Sequence, residues 1–182
     1  MSDENFLSDD FLRQLISVGE VDLLVAIPSH NDCQTVPRVV RAIEECLLRD
    51  FRRERVVLVN IDGGSKDGTP QAILEAGSSA NGTGMESLRT QRWITASAGN
   101  GVVPKDMLRV ILAAADLSRA RACAVISASA ENATPASVRS LLTPVYRENF
   151  DFAAPLYSRN KFDGLLTRNL LYPLTRALFG KP

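Results

Sequence analysis

The sequence predicts an α/β fold with a mainly parallel sheet and helices on both faces of it. Three observations carry that prediction. Val21 to Ile27, Arg55 to Ile61 and Ala122 to Ser127 are short, nearly continuous apolar runs, the pattern of strands buried on both faces. Between them lie segments whose apolar residues recur at helical spacing. Strand and helix signals alternate along the chain, as they do when crossover helices wind a parallel sheet.

Each element follows from local residues. Phe6 to Val18 has Phe11, Leu12, Leu15 and Ile16 on one side, and Gly19 ends it, so residues 1–19 are expected to form an N-terminal helical arm ahead of a domain over 20–182. Pro28 stops the first strand. Thr35 has the chemistry of a helix cap, and Val36 to Arg49 is helical in spacing. After the second strand, Thr69 and Pro70 make a cap-then-proline helix start that runs to about Ala76. Gly77 to Gly84 is a Gly/Ser/Asn-rich loop candidate. A strand is expected within Ser87 to Ala96 around Trp93, and a helix over Met107 to Leu117. Thr134 and Pro135 repeat the cap-then-proline start for a helix to about Arg147. Phe150 to Ala154 is expected as a last short strand, and Leu165 to Leu178 as an amphipathic helix kinked near Pro173.

Composition excludes several function classes. The 182 residues suffice for one domain with a real core. Acidic and basic residues balance to a formal net charge of +0, so no global field favours nucleic acid or an acidic membrane. No apolar run approaches the roughly 20 residues that span a bilayer. The three cysteines have no metal-ligand spacing, and His30 is the only histidine, which argues against zinc chemistry. The odd, sparse cysteine count and the acidic, polar first residues predict a cytoplasmic protein.

In open parallel sheets, ligands gather at the carboxyl ends of the strands. That rule selects Pro28 to Asp32, Asp62 to Thr69, Ser127 to Glu131 and Pro155 to Asp163. The second segment, Asp62-Gly63-Gly64-Ser65-Lys66-Asp67-Gly68-Thr69, is the most informative. Its glycines allow a sharp turn and close approach of a ligand, and a strand-end carboxylate is able to accept hydrogen bonds from a base or a ribose. The same residues also suit a solvated turn whose aspartates cap the next helix.

The ordered set of Pro28-Ser29-His30-Asn31-Asp32, the Asp62 loop, Gly99-Asn100-Gly101, Ala122 to Pro135 and Asp151 to Arg159 resembles the GT-A glycosyltransferases of the family 2 kind. The similarity is closest to the branch of glucosylglycerate, mannosylglycerate and glucosyl-3-phosphoglycerate synthases, and it runs from about Val21 to the end. The resemblance implies a GT-A-like sheet and a UDP- or GDP-hexose donor, with hexosyl transfer to a small acceptor such as glycerate. It places Pro28, Asn31 and Asp32 at the nucleoside pocket and Asp62, with Gly63, at the base. Gly99 and Gly101 border that pocket, while Arg159 and Asp163 lie on the sugar or acceptor side. It assigns no catalytic residue.

Three departures qualify what the resemblance implies. The family's Asp-x-Asp motif, which holds Mg2+ or Mn2+, falls on Ser127-Ala128-Ser129, so no metal is expected there. A metal that offsets charge on a departing nucleoside diphosphate contributes several kcal/mol, and each 1.36 kcal/mol is about tenfold in rate, so activity is expected to be weak or lost. Asn100 replaces the lysine of a Gly-Lys-Gly element. Family members also continue beyond the point matching Pro182, so the domain is expected to be truncated at its C-terminus. Its open sheet edge would call for a second copy or a partner chain. The rival expectation is a non-catalytic nucleotide-binding or assembly subunit. A nucleotidyltransferase would want a glycine-rich, basic loop near the first strand, which Pro28 to Val36 lacks.

Overall fold

Leu23–Ser29 (β1) and Val56–Asp62 (β2) are the centre of the molecule, and every residue of both is buried except the half-buried Pro28. A computed structural model describes residues 9–80, 91–97, 104–156 and 166–180. The described elements are α1 (Asp9–Val18), β1, α2 (Val36–Asp50), β2, α3 (Thr69–Ala80), β3 (Gln91–Ser97), α4 (Pro104–Leu117), β4 (Ala122–Val125), α5 (Pro135–Glu148), a π-helical turn (Thr167–Leu171) and α6 (Tyr172–Phe179).

The four strands form one sheet in the order β3-β2-β1-β4, and each pairing is parallel. The register sets Ser29 of β1 beside Asp62 of β2, and Asp62 beside Ser97 of β3, in one row at the carboxyl edge. Strand order grows outward from β1 to β3 and then reverses, with β4 on the other flank of β1. The crevice between the carboxyl ends of β1 and β4 is therefore the topological switch point, the favoured place for a ligand in such sheets. Beyond β4, Ile126 N–H donates to Ala26 O at 2.9 Å and Ala128 N–H to Pro28 O at 3.0 Å. These bonds carry Ser127 and Ser129 up against the end of β1.

The strand runs are mainly apolar because both faces are covered, with Asn60, Asp62 and Ser29 as the buried polar exceptions. Val25, Ile27 and Leu58 pack with Val39, Ile43 and Leu47 of α2, Ile73 of α3 and Leu142 of α5 on one face. Leu24, Ala26, Val57 and Ile61 pack with Val110 and Ile111 of α4 on the other. Phe11 and Leu15 of α1 are buried in that second layer, so the N-terminal helix is packed against the sheet.

Helix α5 begins as its residues predict. Thr134 Oγ1 accepts from Ser137 N–H, Ser137 Oγ accepts from Thr134 N–H, and Pro135 occupies the first turn. Thr35 does not cap α2 with its side chain: it sits in helical geometry, and its hydroxyl donates to Asp32 O at 3.2 Å.

Two further expectations differ from the structure. Helix α3 continues through Gly77 to Ala80 instead of ending near Ala76, because Ile73, Ala76 and Gly77 are buried in the packed side of the helix. That tertiary packing overrides the low helix propensity of glycine, and 81–84 of the expected loop lie outside the described residues. Phe150 to Ala154 forms no strand; Phe150 and Phe152 are exposed and no described strand pairs with the segment. The helix expected over Leu165 to Leu178 is interrupted near Pro173, as expected, where a π-helical turn gives way to α6, and Pro173 lies in the first turn of α6, where a missing N–H costs little. The described side chains of the π-helical turn and of α6 are exposed, including Leu170, Leu174, Leu178 and Phe179. Among the described residues, no helix is long and apolar enough to cross a membrane.

Candidate functional site: a strand-end cleft

The two loops that leave β1 and β2 are laced into one another. Gly63 N–H donates to Ser29 O at 2.8 Å, and Asn31 N–H donates to Ser65 Oγ at 2.9 Å. Lys66 N–H returns to Asn31 Oδ1 at 2.9 Å. Asp32 N–H donates to Thr69 Oγ1 at 2.8 Å, and Cys33 N–H to Asp67 Oδ2 at 3.0 Å. Asn31 sits in the left-handed region at φ 57°, which asparagine tolerates better than most residues.

Asp62 organises this lacing. It is 2% exposed. Oδ1 accepts from Ser29 Oγ at 3.1 Å and Ser65 Oγ at 2.6 Å, while Oδ2 accepts from Gly64 N–H at 3.0 Å and Ser65 N–H at 2.8 Å. A carboxylate has about four acceptor positions, so these bonds occupy its capacity. Asn60, fully buried one turn of the pleat below, donates to Ile27 O and to Ser29 Oγ, both at 2.9 Å, and its Oδ1 has no protein partner. The direction of the chain is thereby fixed: Asn60 donates to the Ser29 hydroxyl, which donates onward to Asp62.

Asp67 does for α3 what the turn chemistry predicts of an aspartate. Its Oδ1 accepts from Thr69 N–H at 3.0 Å and Thr69 Oγ1 at 2.6 Å. The Thr69 hydroxyl, then the Cys33 N–H, hold the Asp67 carboxyl far below the usual carboxylate range. The same carboxylate pushes the Cys33 thiol up, and burial pushes Cys46 and Cys123 up to about 11. None of the three has the lowered value of a reactive thiolate.

The glycines of this loop have separate reasons. Gly64 and Gly68 have φ of 82° and 86°, where a side chain is strained. Gly63 is needed for close approach: a Cβ there would lie 2.6 Å from Met107 Cε and 3.2 Å from His30 Nδ1.

At the switch point lies an open cleft of about 420 Å³ lined by Pro28, Ser29, His30, Asp32, Met107, Leu108, Ile111, Val125, Ser127 and Ser129. The structure thus brings together Pro28 and Asp32 with Ser127 and Ser129. Asn31, Asp62 and Gly63 build the loops behind that lining rather than the lining itself. Gly99, Gly101, Arg159 and Asp163 lie outside the described residues. Met107, Leu108, Ile111 and Val125 line the cleft from outside the segments that the strand-end rule selected, and the cross-loop bonding of Ser29, Ser65 and Thr69 within those segments was not foreseen. The signal for those three is a short hydroxyl residue at or just after a parallel strand end, where facing loops need donors and acceptors together.

The donor set does not fit a hard divalent cation. The Ser127 and Ser129 hydroxyls hydrogen-bond each other at 2.8 Å, and neither carries charge. Asp32 is the only carboxylate among the described residues of the lining, and no described group of three His, Cys, Asp or Glu could hold a metal ion.

No protein-family model matches the chain. No curated protein matches it. Solved structures do. Glucosyl-3-phosphoglycerate synthase from Mycobacterium tuberculosis, crystallised with Mn2+, UDP and glucosyl-3-phosphoglycerate, is 21% identical, with a TM-score of 0.57 over 92% of this chain and 54% of that one. Mannosyl-3-phosphoglycerate synthase from Rubrobacter xylanophilus is 20% identical, with a TM-score of 0.58 over 96% of this chain and 52% of that one. The chain therefore spans about half the length of these enzymes, and over that span it has their GT-A-like fold.

Proposed function

We propose that this chain is a glycosyltransferase-type domain that binds a nucleotide-sugar, a UDP- or GDP-hexose, in the cleft between β1 and β4. The single observation that carries this reading is the position of the cleft. It opens at the switch point of a parallel sheet and is lined on one side by the loop after β1, which is tied by hydrogen bonds to the loop after β2. Such preorganisation lowers the ordering cost of binding. The match to synthases crystallised with UDP supports the donor class. In this reading Asp62 serves the nucleotide through the loop that it shapes, since its own acceptor positions are taken.

The resemblance implies hexosyl transfer to a small acceptor such as glycerate, and we propose that this activity is weak or lost here. The reason is the Ser127–Ser129 pair, which supplies no anionic ligand where charge on a departing diphosphate needs an ion. That same pair favours a second reading, a non-catalytic nucleotide-binding or assembly subunit, in which a second copy or a partner chain covers the sheet edge.

Calorimetric titration with UDP-glucose and GDP-mannose, in chelator and in Mn2+, tests both readings. Binding of one donor with unchanged affinity in chelator is expected. Absence of binding by either donor overturns the nucleotide reading, and strict dependence on Mn2+ overturns the metal-free site. Measuring sugar released or transferred in the same samples separates the enzyme from the subunit.

A further inference from the structure

We infer that His30 is a diphosphate ligand whose protonated ring supplies the positive charge that the serine pair no longer recruits; this rests on the nucleotide reading of the cleft. A diphosphate brings two negative charges. Among the described residues that line the cleft, the charged or titratable side chains are Asp32, which repels such a ligand, and His30. His30 is exposed and lines the same cleft as Ser127 and Ser129, so a phosphate bound beside those hydroxyls would share the cleft with it.

The hydrogen bonds around the ring define what protonation does. Nδ1 lies 3.1 Å from Gly63 O, which only accepts, so Nδ1 carries a proton. Nε2 lies 3.2 Å from Asn31 Nδ2, and Asn31 Oδ1 is committed to Lys66 N–H, so the Asn31 amide presents its N–H2 to Nε2. In this arrangement both ring nitrogens are engaged, Nδ1 as donor and Nε2 as acceptor. When Nε2 takes a proton, it faces a group that only donates. The Asn31 contact breaks, and a charged N–H is released toward an anion while Gly63 O keeps the ring in place. Ligand binding and proton uptake are coupled by that exchange.

Among the described residues, other charges near the loops do not replace this one. On the loop after β2, Asp62 is buried, and Lys66 and Asp67 are exposed and outside the cleft lining. On α4, Arg109 stands 3.8 Å from Asp106. Beyond Ser129, Glu131 is exposed.

The test is the affinity for UDP-glucose and GDP-mannose in chelator from about pH 5.5 to about pH 8, the range in which a histidine changes charge. The diphosphate of these sugars is doubly esterified and keeps its charge over that range. Wild-type affinity is expected to rise as pH falls, by at most about tenfold per pH unit for one proton taken up. His30→Gln is expected to lose the rise, and His30→Lys to bind at the wild-type low-pH level throughout, with thermal melts confirming that both fold. A flat wild-type profile, or a pH-dependent His30→Gln, overturns the role of His30 while leaving the nucleotide site in place. Failure of the wild type to bind either donor at any pH overturns the nucleotide site and this role with it.

Discussion

Asp32 and Thr69 are joined across two loops: the Asp32 N–H donates to Thr69 Oγ1 at 2.8 Å, and the same hydroxyl donates to Asp67 Oδ1 at 2.6 Å. One side chain thus satisfies a donor at the end of β1 and an acceptor at the start of α3. Thr69→Val keeps the shape and removes both bonds, leaving the Asp32 N–H unsatisfied. A loss of about 1–3 kcal/mol is expected, with Thr69→Ser recovering most of it, as read from urea unfolding. Equal stability of the Val and Ser variants would show that the bridge contributes nothing.

Asp67 predicts an acid-sensitive step. Its carboxyl is held low by Thr69 and the Cys33 N–H, so the folded state binds its proton less readily than the unfolded state does. The stability it contributes is present above the unfolded value near about pH 4, and it is lost as pH falls below that toward the folded value. Asp67→Asn should therefore be less stable than wild type at neutral pH, with the gap closing in acid. Thermal midpoints taken from about pH 6 to about pH 2 check this, and a gap that stays constant would contradict it.

Gly63 and Gly64 should fail differently. Gly64→Ala forces a side chain into φ 82°, at a cost of about 1–2 kcal/mol in unfolding measurements. Gly63→Ala meets Met107 Cε, the flexible end of a side chain, so its stability cost is expected to be the smaller of the two. Its effect falls on the cleft, because the displaced Met107 is part of the lining. Reduced nucleotide affinity with little change in unfolding is the expected signature of Gly63→Ala, and the reverse pattern would refute it.

Restoring charge at the serine pair should restore a metal. The double variant Ser127→Asp with Ser129→Asp places two hard oxygen ligands beside the cleft. Mn2+ binding, followed by calorimetry or by the broadening of the Mn2+ resonance, is expected to appear in the variant and to strengthen nucleotide affinity. A variant that binds Mn2+ no better than wild type would mean that these positions do not face the diphosphate.

The sheet was legible in the sequence because strands such as Leu23 to Ile27 and Val56 to Ile61 are buried on both faces, and that leaves a continuous apolar run. The site loops were legible because Gly63, Gly64 and Gly68 mark close approach or positive φ. The use of their polar groups was not. Asp62 has the residue type of a ligand contact, yet its register beside Ser29, a partner far away in sequence, spends it on the protein. Thr35 has the type of a cap, but the loop geometry directs its hydroxyl to Asp32 O. Phe150 to Ala154 has the alternation of a strand, and a strand exists only where a neighbour pairs with it. In each case local chemistry defined the options and long-range pairing chose among them.

The sheet order also sets the sequence in which the site is assembled. β1 is central, but its two flanks are filled at very different times as the chain emerges from the ribosome. Leu23 finds Val56 across a single helix, so the laced loops are complete once Thr69 is in place. Its other partner, Ala122, comes only after β3 and α4 have been made. Until then one edge of β1 is an unpaired template beside an exposed apolar face, the kind of surface on which nascent chains misassociate. The wall that carries Ser127 and Ser129 is thus the last of the cleft's described lining to arrive, and its docking both completes that lining and pairs the second edge of β1.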